Sequence, residues 1–266
     1  MLTKNQLKLV RSLELKKNRK KEGLFVAEGP KVVGDLLRAG FVPHSIFMVQ
    51  GSGFMVQGSG FKVQGSSFLV TDDELRKLSF LQHPQEVLAL FEIPSRSSLC
   101  FRDESGAGSL TSLQGGVGGR PLSLALDGIQ DPGNLGTIIR IADWFGITQI
   151  FCSPDTADIY NPKVVQATMG SLAHVSITYC DLVPLLREAN VPVYGTLLDG
   201  QNIYQQTLSG KGIIVMGNEG NGISDAVRSR VTHKLLIPDF HKGDTADSLN
   251  VAIATAITCS EFRRRM

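Results

Sequence analysis

The sequence predicts an α/β protein in two parts, a small α/β domain followed by a larger domain built on a parallel sheet. Three observations lead there. From Leu122 onward, short apolar runs alternate with segments of helical period, the pattern of a parallel sheet covered on both faces. Before Pro94 the same two periods recur in shorter units. Between them the composition shifts to Ser95, Ser97, Ser98, Gly106, Gly108, Gly115, Gly116, Gly118 and Gly119, which have little to bury and read as a flexible linker. The expected organisation is therefore a domain over 1–94, a linker over 95–120 and a second domain over 121–266.

In the first part, residues 5–17 place Leu7, Val10, Leu13 and Leu15 at near-helical spacing, with Lys and Arg on the opposite face. Leu24-Phe25-Val26-Ala27 is extended, Gly29-Pro30 opens a helix through Val32, Val33, Leu36 and Leu37, and Gly40 closes it. Ser45–Val49, Phe68–Val70 and Val87–Phe91 read as strands, with Thr71 as a helix cap. Units beginning at Phe47, Phe54 and Phe61 repeat Phe-x-Val-Gln-Gly-Ser. A Gly in each unit argues against a coiled coil, because Gly costs a helix interior about 1 kcal/mol relative to Ala. So short an array is not a solenoid either. Residues 47–67 thus read as an insertion, a lengthened hairpin or surface loop.

In the second part, strands are expected at 122–127, 148–152, 192–196, 212–216 and 234–237. Helices are expected at 134–145, 162–171, 181–189, 222–230 and 248–263. Ligands of such sheets collect at the carboxyl ends of the strands.

Composition narrows the function. No run of about 18 apolar residues is present, so no membrane span is expected. The first residues lack the apolar core and cleavage site of a signal peptide, and a cytoplasmic protein is expected. Cys100, Cys152, Cys180 and Cys259 are scattered without a CxxC and read as buried thiols, not as a disulfide framework or metal site. The net charge of +2 is small, but residues 1–22 hold Lys4, Lys8, Arg11, Lys16, Lys17, Arg19, Lys20 and Lys21 against Glu14 and Glu22. Such a cluster suits phosphate contact; a solvated helical face is an equal reading.

Three polar segments follow strand ends. The first runs from Asp127 to Arg140 and places Asn134 near a helix start, where its side chain can cap or bind a ligand. Leu135, Ile138, Ile139, Ala142 and Phe145 mark the buried stripe, and Arg140 falls off it; alone this is a capped helix with a surface arginine. The second, Val215-Met-Gly-Asn-Glu-Gly-Asn-Gly-Ile-Ser224, has glycines that allow close backbone approach and positive φ. It matches neither a phosphate-cradling loop nor the GxGxxG fingerprint. The third runs from Ile237 to Ala254, a polar loop entering an apolar helix that Ser248 could cap. Asn250 is unusual inside a first turn, since Asn is a poor interior former.

Other residues carry plainer readings. Trp144 and Phe145 read as core. His241 and Lys242 are solvated or meet a nucleic acid. Asn161, Lys163 and Gln166 are an amphipathic helix start or substrate contacts. Arg263, Arg264 and Arg265 suit the negative end of a helix and need no further role.

In this order and spacing, the three segments resemble the signature motifs of the SpoU family, RNA ribose methyltransferases of the SPOUT superfamily. The match spans residues 121–264. Lys4-Asn5-Gln6-Leu7-Lys8 and Phe25-Val26-Ala27-Glu28-Gly29 resemble, more loosely, the accessory RNA-binding domain of members that act on ribosomal RNA. The resemblance implies a SPOUT-type parallel sheet whose C-terminal segment forms a trefoil knot, an exception to ordinary topology. It implies S-adenosylmethionine as cofactor, a homodimer, and methylation of a ribose 2′-hydroxyl in structured RNA, foremost 23S ribosomal RNA. Alternatives are transfer RNA as substrate, or a catalytically silent RNA-binding factor on the same fold. Asn134 and Arg140 match the polar pair of the first motif, Glu219 the acid of the second, and Ser248 and Asn250 the pair of the third. Cofactor contacts fall on Gly217, Ile237 and Leu249, with Thr196 as a further candidate, and RNA contacts on Lys4, Lys8, Arg11, Lys16 and Lys17. The family's base falls on Arg140. A guanidinium keeps its proton at any ordinary pH, however, which favours Arg140 as the group that stabilises a developing alkoxide.

Overall fold

The computed structural model describes residues 2–52, 66–94, 121–241 and 248–264. The chain divides into two compact units, one of residues 1–96 with 158–174 and one of 97–157 with 175–266.

In the first unit, Thr3 and Gln6 form a capping box that starts α1 (Lys4–Ser12), two orphan donors being met reciprocally. The single helix expected over 5–17 is broken. Leu13 is buried, Leu15 turns extended, and α2 (Lys16–Glu22) begins after it and ends on Gly23 at φ +67°. Arg19 leaves the basic patch altogether. It is 2% exposed, it donates to the Leu13 and Glu14 carbonyls, and it pairs with Asp158 at 2.7 Å. Then follow β1 (Leu24–Glu28), α3 (Pro30–Arg38), β2 (Pro43–Val49), β3 (Ser66–Val70), α4 (Asp72–Leu78) and β4 (Val87–Glu92). Thr71 caps α4 in a second capping box, as its position predicts.

The sheet order is β1-β4-β2-β3, and β2 pairs with β3 in parallel, Phe47 opposite Phe68. Parallel neighbours cannot be joined by a hairpin. The lengthened hairpin is therefore corrected, and Phe47, Met48 and Val49 belong to a strand of the sheet instead of an insertion. The rest of the repeat from residue 53 to 65, and the linker over 95–120, lie outside the described residues. Val10, Leu13, Leu24, Val26, Phe47, Leu75, Leu88 and Leu90 form the core.

Residues 158–174, which fall inside the expected second domain, pack in this unit. They carry α6 (Pro162–Thr168), which lies on β1, while the Tyr160 ring sits 4.7 Å from that of Phe25. Asn161 caps α6, its side chain accepting from Lys163 N, and Met169 ends it in the left-handed region.

The second unit contains β5 (Leu122–Asp127), α5 (Pro132–Trp144), β6 (Gln149–Cys152), β7 (Ser176–Tyr179), α7 (Leu182–Arg187), β8 (Val193–Asn202), β9 (Gly212–Gly217), α8 (Asp225–Arg228), β10 (His233–Leu236) and α9 (Val251–Arg264). Its six-stranded sheet runs β10-β8-β9-β5-β6-β7 with every pair parallel. Ala125, Phe151, Val193, Ile213, Val215 and Val227 build its core. Strand β7 escaped the sequence reading, because Ser176-Ile177-Thr178-Tyr179 alternates polar residues around a single buried Ile177. The register of β8 against β10 jumps between Lys234 and Leu235, so that β8 carries an out-of-register stretch beginning at Thr196.

Helix α9 packs on α5. Arg263 donates to the carbonyls of Phe145 at 2.7 Å and Gly146 at 3.1 Å, so it has the structural role that was not expected of it: it closes the C-terminal end of α5. Trp144 is likewise not core, being 85% exposed, while Phe145 is half-buried. Cys152 and Cys259 are buried, and burial pushes the Cys259 thiol up to about 12. Cys100 lies outside the described residues.

Candidate active site

The site is assembled where β5 and β9 end side by side, Asp127 opposite Gly217. A side chain at residue 217 would lie 2.2 Å from the Gly222 carbonyl carbon, so only glycine lets the second polar segment fold back on its own strand. The fold-back is closed by paired backbone bonds between Asn218 and Gly222. Asp127 holds the far end, accepting from Ser224 N at 2.8 Å.

Asn218, which the sequence reading passed over, does the most to shape this turn. Its side-chain oxygen accepts from Gly220 N and Asn221 N, and its amide nitrogen donates to Gly128 O at 2.6 Å, tying the second segment to the first. An Asn set between glycines in a turn was the available signal, because its side chain mimics a backbone turn.

Three of the expected catalytic residues meet in one hydrogen-bonded chain. Asp131 caps α5 by accepting from Asn134 N at 2.7 Å, which releases the Asn134 side chain for other partners. That side chain donates to Glu219 Oε1 at 3.0 Å and accepts from Asn250 Nδ2 at 2.9 Å. The Glu219 carboxylate is also faced by the Gln130 and Asp131 N–H groups, each at 3.4 Å. One residue from each polar segment is thus present in the chain.

Asn250 explains its own odd position. It caps α9, its side-chain oxygen accepting from Ala252 N at 3.0 Å and Ile253 N at 3.3 Å, while its nitrogen reaches Asn134. The capping role expected of Ser248 is therefore corrected to Asn250; Ser248 is exposed. A pair of substitutions separates the two jobs. Asn250→Asp keeps the cap and removes the donor, so thermal stability should stay near that of the wild type while turnover falls. Asn250→Ala should lose both, costing about 0.5–2 kcal/mol in a denaturation series.

Arg140 is not drawn into the chain. Along α5 it lies about 9 Å beyond Asn134 and roughly 120° round the axis. It shares the exposed face that carries Trp144, and no partner holds it among the described residues.

Of the positions expected at a cofactor, Gly217 ends β9, and Thr196 follows Gly195, the last residue of β8 paired with β9. The Thr196 hydroxyl reaches Val215 O at 3.4 Å and Met216 sulfur at 3.6 Å. Ile237 follows the end of β10 half-buried, and Leu249 is exposed beside the α9 cap. The side-chain-free backbone at Gly217 and the apolar side chains of Ile237 and Leu249 are of the chemical kind that an adenosine requires, close main-chain approach and apolar cover. Residues 242–247, including Lys242 and Gly243, lie outside the described residues. Lys4, Lys8, Arg11, Lys16 and Lys17 are all exposed on α1 and α2 of the first unit.

The model of the SpoU rRNA Methylase family matches residues 121–260, and that of the MRM3-like substrate binding domain matches residues 4–89. The chain is 28% identical to the 23S rRNA (guanosine(2553)-2′-O)-methyltransferase RlmP of Bacillus subtilis, over 98% of this chain and 97% of the relative. A TrmH-family protein from Porphyromonas gingivalis superposes with a TM-score of 0.81 at 38% identity, covering 100% of both chains. The AdoMet-bound rRNA methyltransferase from Sinorhizobium meliloti superposes at 0.82 with 30% identity, covering 100% of this chain and 97% of that one. With its three polar segments joined at the strand ends of a parallel sheet, the chain belongs to the SpoU rRNA methylase family.

Proposed function

We propose that the protein transfers the methyl group of S-adenosylmethionine to a ribose 2′-hydroxyl of ribosomal RNA. The observation that carries this reading is the Asn250–Asn134–Glu219 chain, which joins all three polar segments at the end of β9. The cofactor supplies a sulfonium methyl that is already electrophilic. The protein's task is to align the hydroxyl, which can supply about 7–11 kcal/mol of the barrier, and to stabilise the alkoxide as its proton passes to solvent water; the C–O bond then forms as the C–S bond breaks, and S-adenosylhomocysteine leaves as a neutral thioether. Arg140 serves the second need, its planar fork facing both the developing charge and a neighbouring phosphate. Glu219 and Asn250 orient Asn134 from both sides, which holds the start of α5 and hence the helix that carries Arg140. Ser248 lies beside the Asn250 cap and completes the polar rim.

The protein works as a homodimer in this reading. Trp144, Leu249 and Ile253 are exposed on α5 and around the start of α9, and a second copy would cover them. A second copy covering Trp144 would also cover Arg140 on the same helix face, which turns an exposed arginine into one poised at a site. Trp144→Glu should then yield monomers by light scattering. We infer the knotted threading of the C-terminal segment from the family, and a cytoplasmic location from the substrate.

The first unit supplies RNA affinity through the exposed cations of α1 and α2. The triple variant Lys4→Glu, Lys8→Glu, Lys16→Glu tests this better than truncation, because α6 packs on β1 within the same unit. RNA affinity should fall, and the slope of log K against log salt should drop by roughly 0.7–0.9 for each phosphate that is no longer neutralised. S-adenosylmethionine should bind as before. Unchanged RNA affinity would remove these residues from the interface.

A further inference from the structure

The first unit contains a cavity of about 260 Å³ between β1, the segment after α4, and α6. Its walls are Val26, Phe80 and Val165, and its polar groups are Glu28, Lys163 and Gln166. It is smaller than the roughly 300–1,000 Å³ of pockets that hold drug-sized ligands, which limits an occupant to a single ring system.

Phe80 connects this cavity to the basic helix. The Arg11 guanidinium carbon stands 5.3 Å from the centroid of its ring, and Lys4, Lys8 and Arg11 follow one another along one exposed face of α1. An aromatic wall, a few edge-binding polar groups and a row of cations leading to them are what an unstacked nucleotide requires: stacking for the base, hydrogen bonds for its edge, and charge for its phosphates.

Glu28 is held for such a task. It is buried, and its two oxygens accept from the Ser79 hydroxyl and from Phe80 N. Burial pushes its carboxyl above the usual range. A carboxyl oxygen keeps a second lone pair after one hydrogen bond, so edge recognition remains open to it.

We propose that this cavity receives one unpaired nucleobase of the substrate RNA, a nucleotide other than the one that is methylated. This rests on the reading of RNA as substrate. It adds a base-reading site to what would otherwise be a shape- and charge-reading unit.

The test uses the full-length protein and an unmodified transcript of large-subunit ribosomal RNA. Ala167 lines the cavity, and Ala167→Leu fills it. RNA affinity should fall roughly 5- to 150-fold, the worth of one stacked base, while S-adenosylmethionine binds as in the wild type. A transcript abasic at one nucleotide should cost the wild type the same factor and cost A167L nothing more. Gln166→Ala, which removes an edge partner without filling the space, should weaken RNA binding in the same direction. Photocross-linking of the wild type to thio-substituted RNA should place an adduct on Phe80 or within residues 162–167. Should A167L lose the circular-dichroism spectrum or the thermal transition of the wild type, and hence its fold, the Gln166 variant and the cross-link decide. A wild type that binds and methylates RNA while both variants bind equally well, or adducts that fall only elsewhere, would overturn the cavity assignment alone. A wild type that binds no RNA would overturn the substrate reading, and this site with it.

Discussion

Arg140→Lys should lower kcat by about 10²–10³-fold while RNA and S-adenosylmethionine bind as in the wild type. The charge survives this substitution; the geometry does not. An ammonium is a compact point charge, whereas the guanidinium offers parallel donors that can hold a forming alkoxide and a phosphate oxygen together. Because Arg140 is exposed and held by no partner among the described residues, its replacement disturbs neither the α5 stripe nor the Asn134 chain. Stability should therefore be unchanged, which separates lost chemistry from lost structure. Near-normal turnover in the lysine variant would show that charge alone suffices.

The second large effect is on stability. Arg19→Met should cost about 3–5 kcal/mol in chemical denaturation, because it leaves the Asp158 carboxylate without the cation that compensates it. Lys16→Met and Lys17→Met, at exposed positions of the same helix, should stay within about 0.5 kcal/mol of the wild type. The double variant Arg19→Met, Asp158→Leu should regain most of the loss, since replacing both members of a buried pair removes the stranded charge. Equal behaviour of Arg19 and Lys16 would return Arg19 to the solvated basic patch.

These two arginines show where sequence reading succeeds and where it stops. Periodicity placed the buried stripe of α5 correctly, because Leu135, Ile138, Ile139 and Ala142 recur at helical spacing, and it put Arg140 off that stripe. Thr71 announced its helix by local chemistry alone. Arg19 gave no such sign: its partner lies 139 residues away in sequence, and a lysine-rich helix hides one buried cation among exposed ones. The parallel pairing of β2 with β3 was hidden for a related reason, since strand periodicity says where strands are and nothing about which neighbour they choose.

The site follows the same division. The resemblance to the SpoU motifs, not periodicity or composition, pointed to Asn134, Glu219 and Asn250 together, and the structure brings them into contact. It could not be read from sequence which of Ser248 and Asn250 capped α9, because both are good caps and only the backbone path selects one. Trp144 was misplaced because apolar character predicts burial, whereas position on the helix decides it: the indole lies on the outer face of α5, off the buried stripe, and is 85% exposed. Asn218 went unnoticed because the partners of its side chain are main-chain groups, whose positions depend on the backbone path and not on residue type.

One measurement tests the central claim most directly. Wild-type protein is incubated with S-adenosylmethionine labelled on its methyl group and with unmodified ribosomal RNA transcripts, and the RNA is then digested to nucleosides. The account predicts that the label appears in a 2′-O-methylated nucleoside and that its initial rate of appearance falls about 10²–10³-fold when Arg140 is replaced by lysine. Label on a base, or no transfer from a wild type that binds both cofactor and RNA, would contradict it.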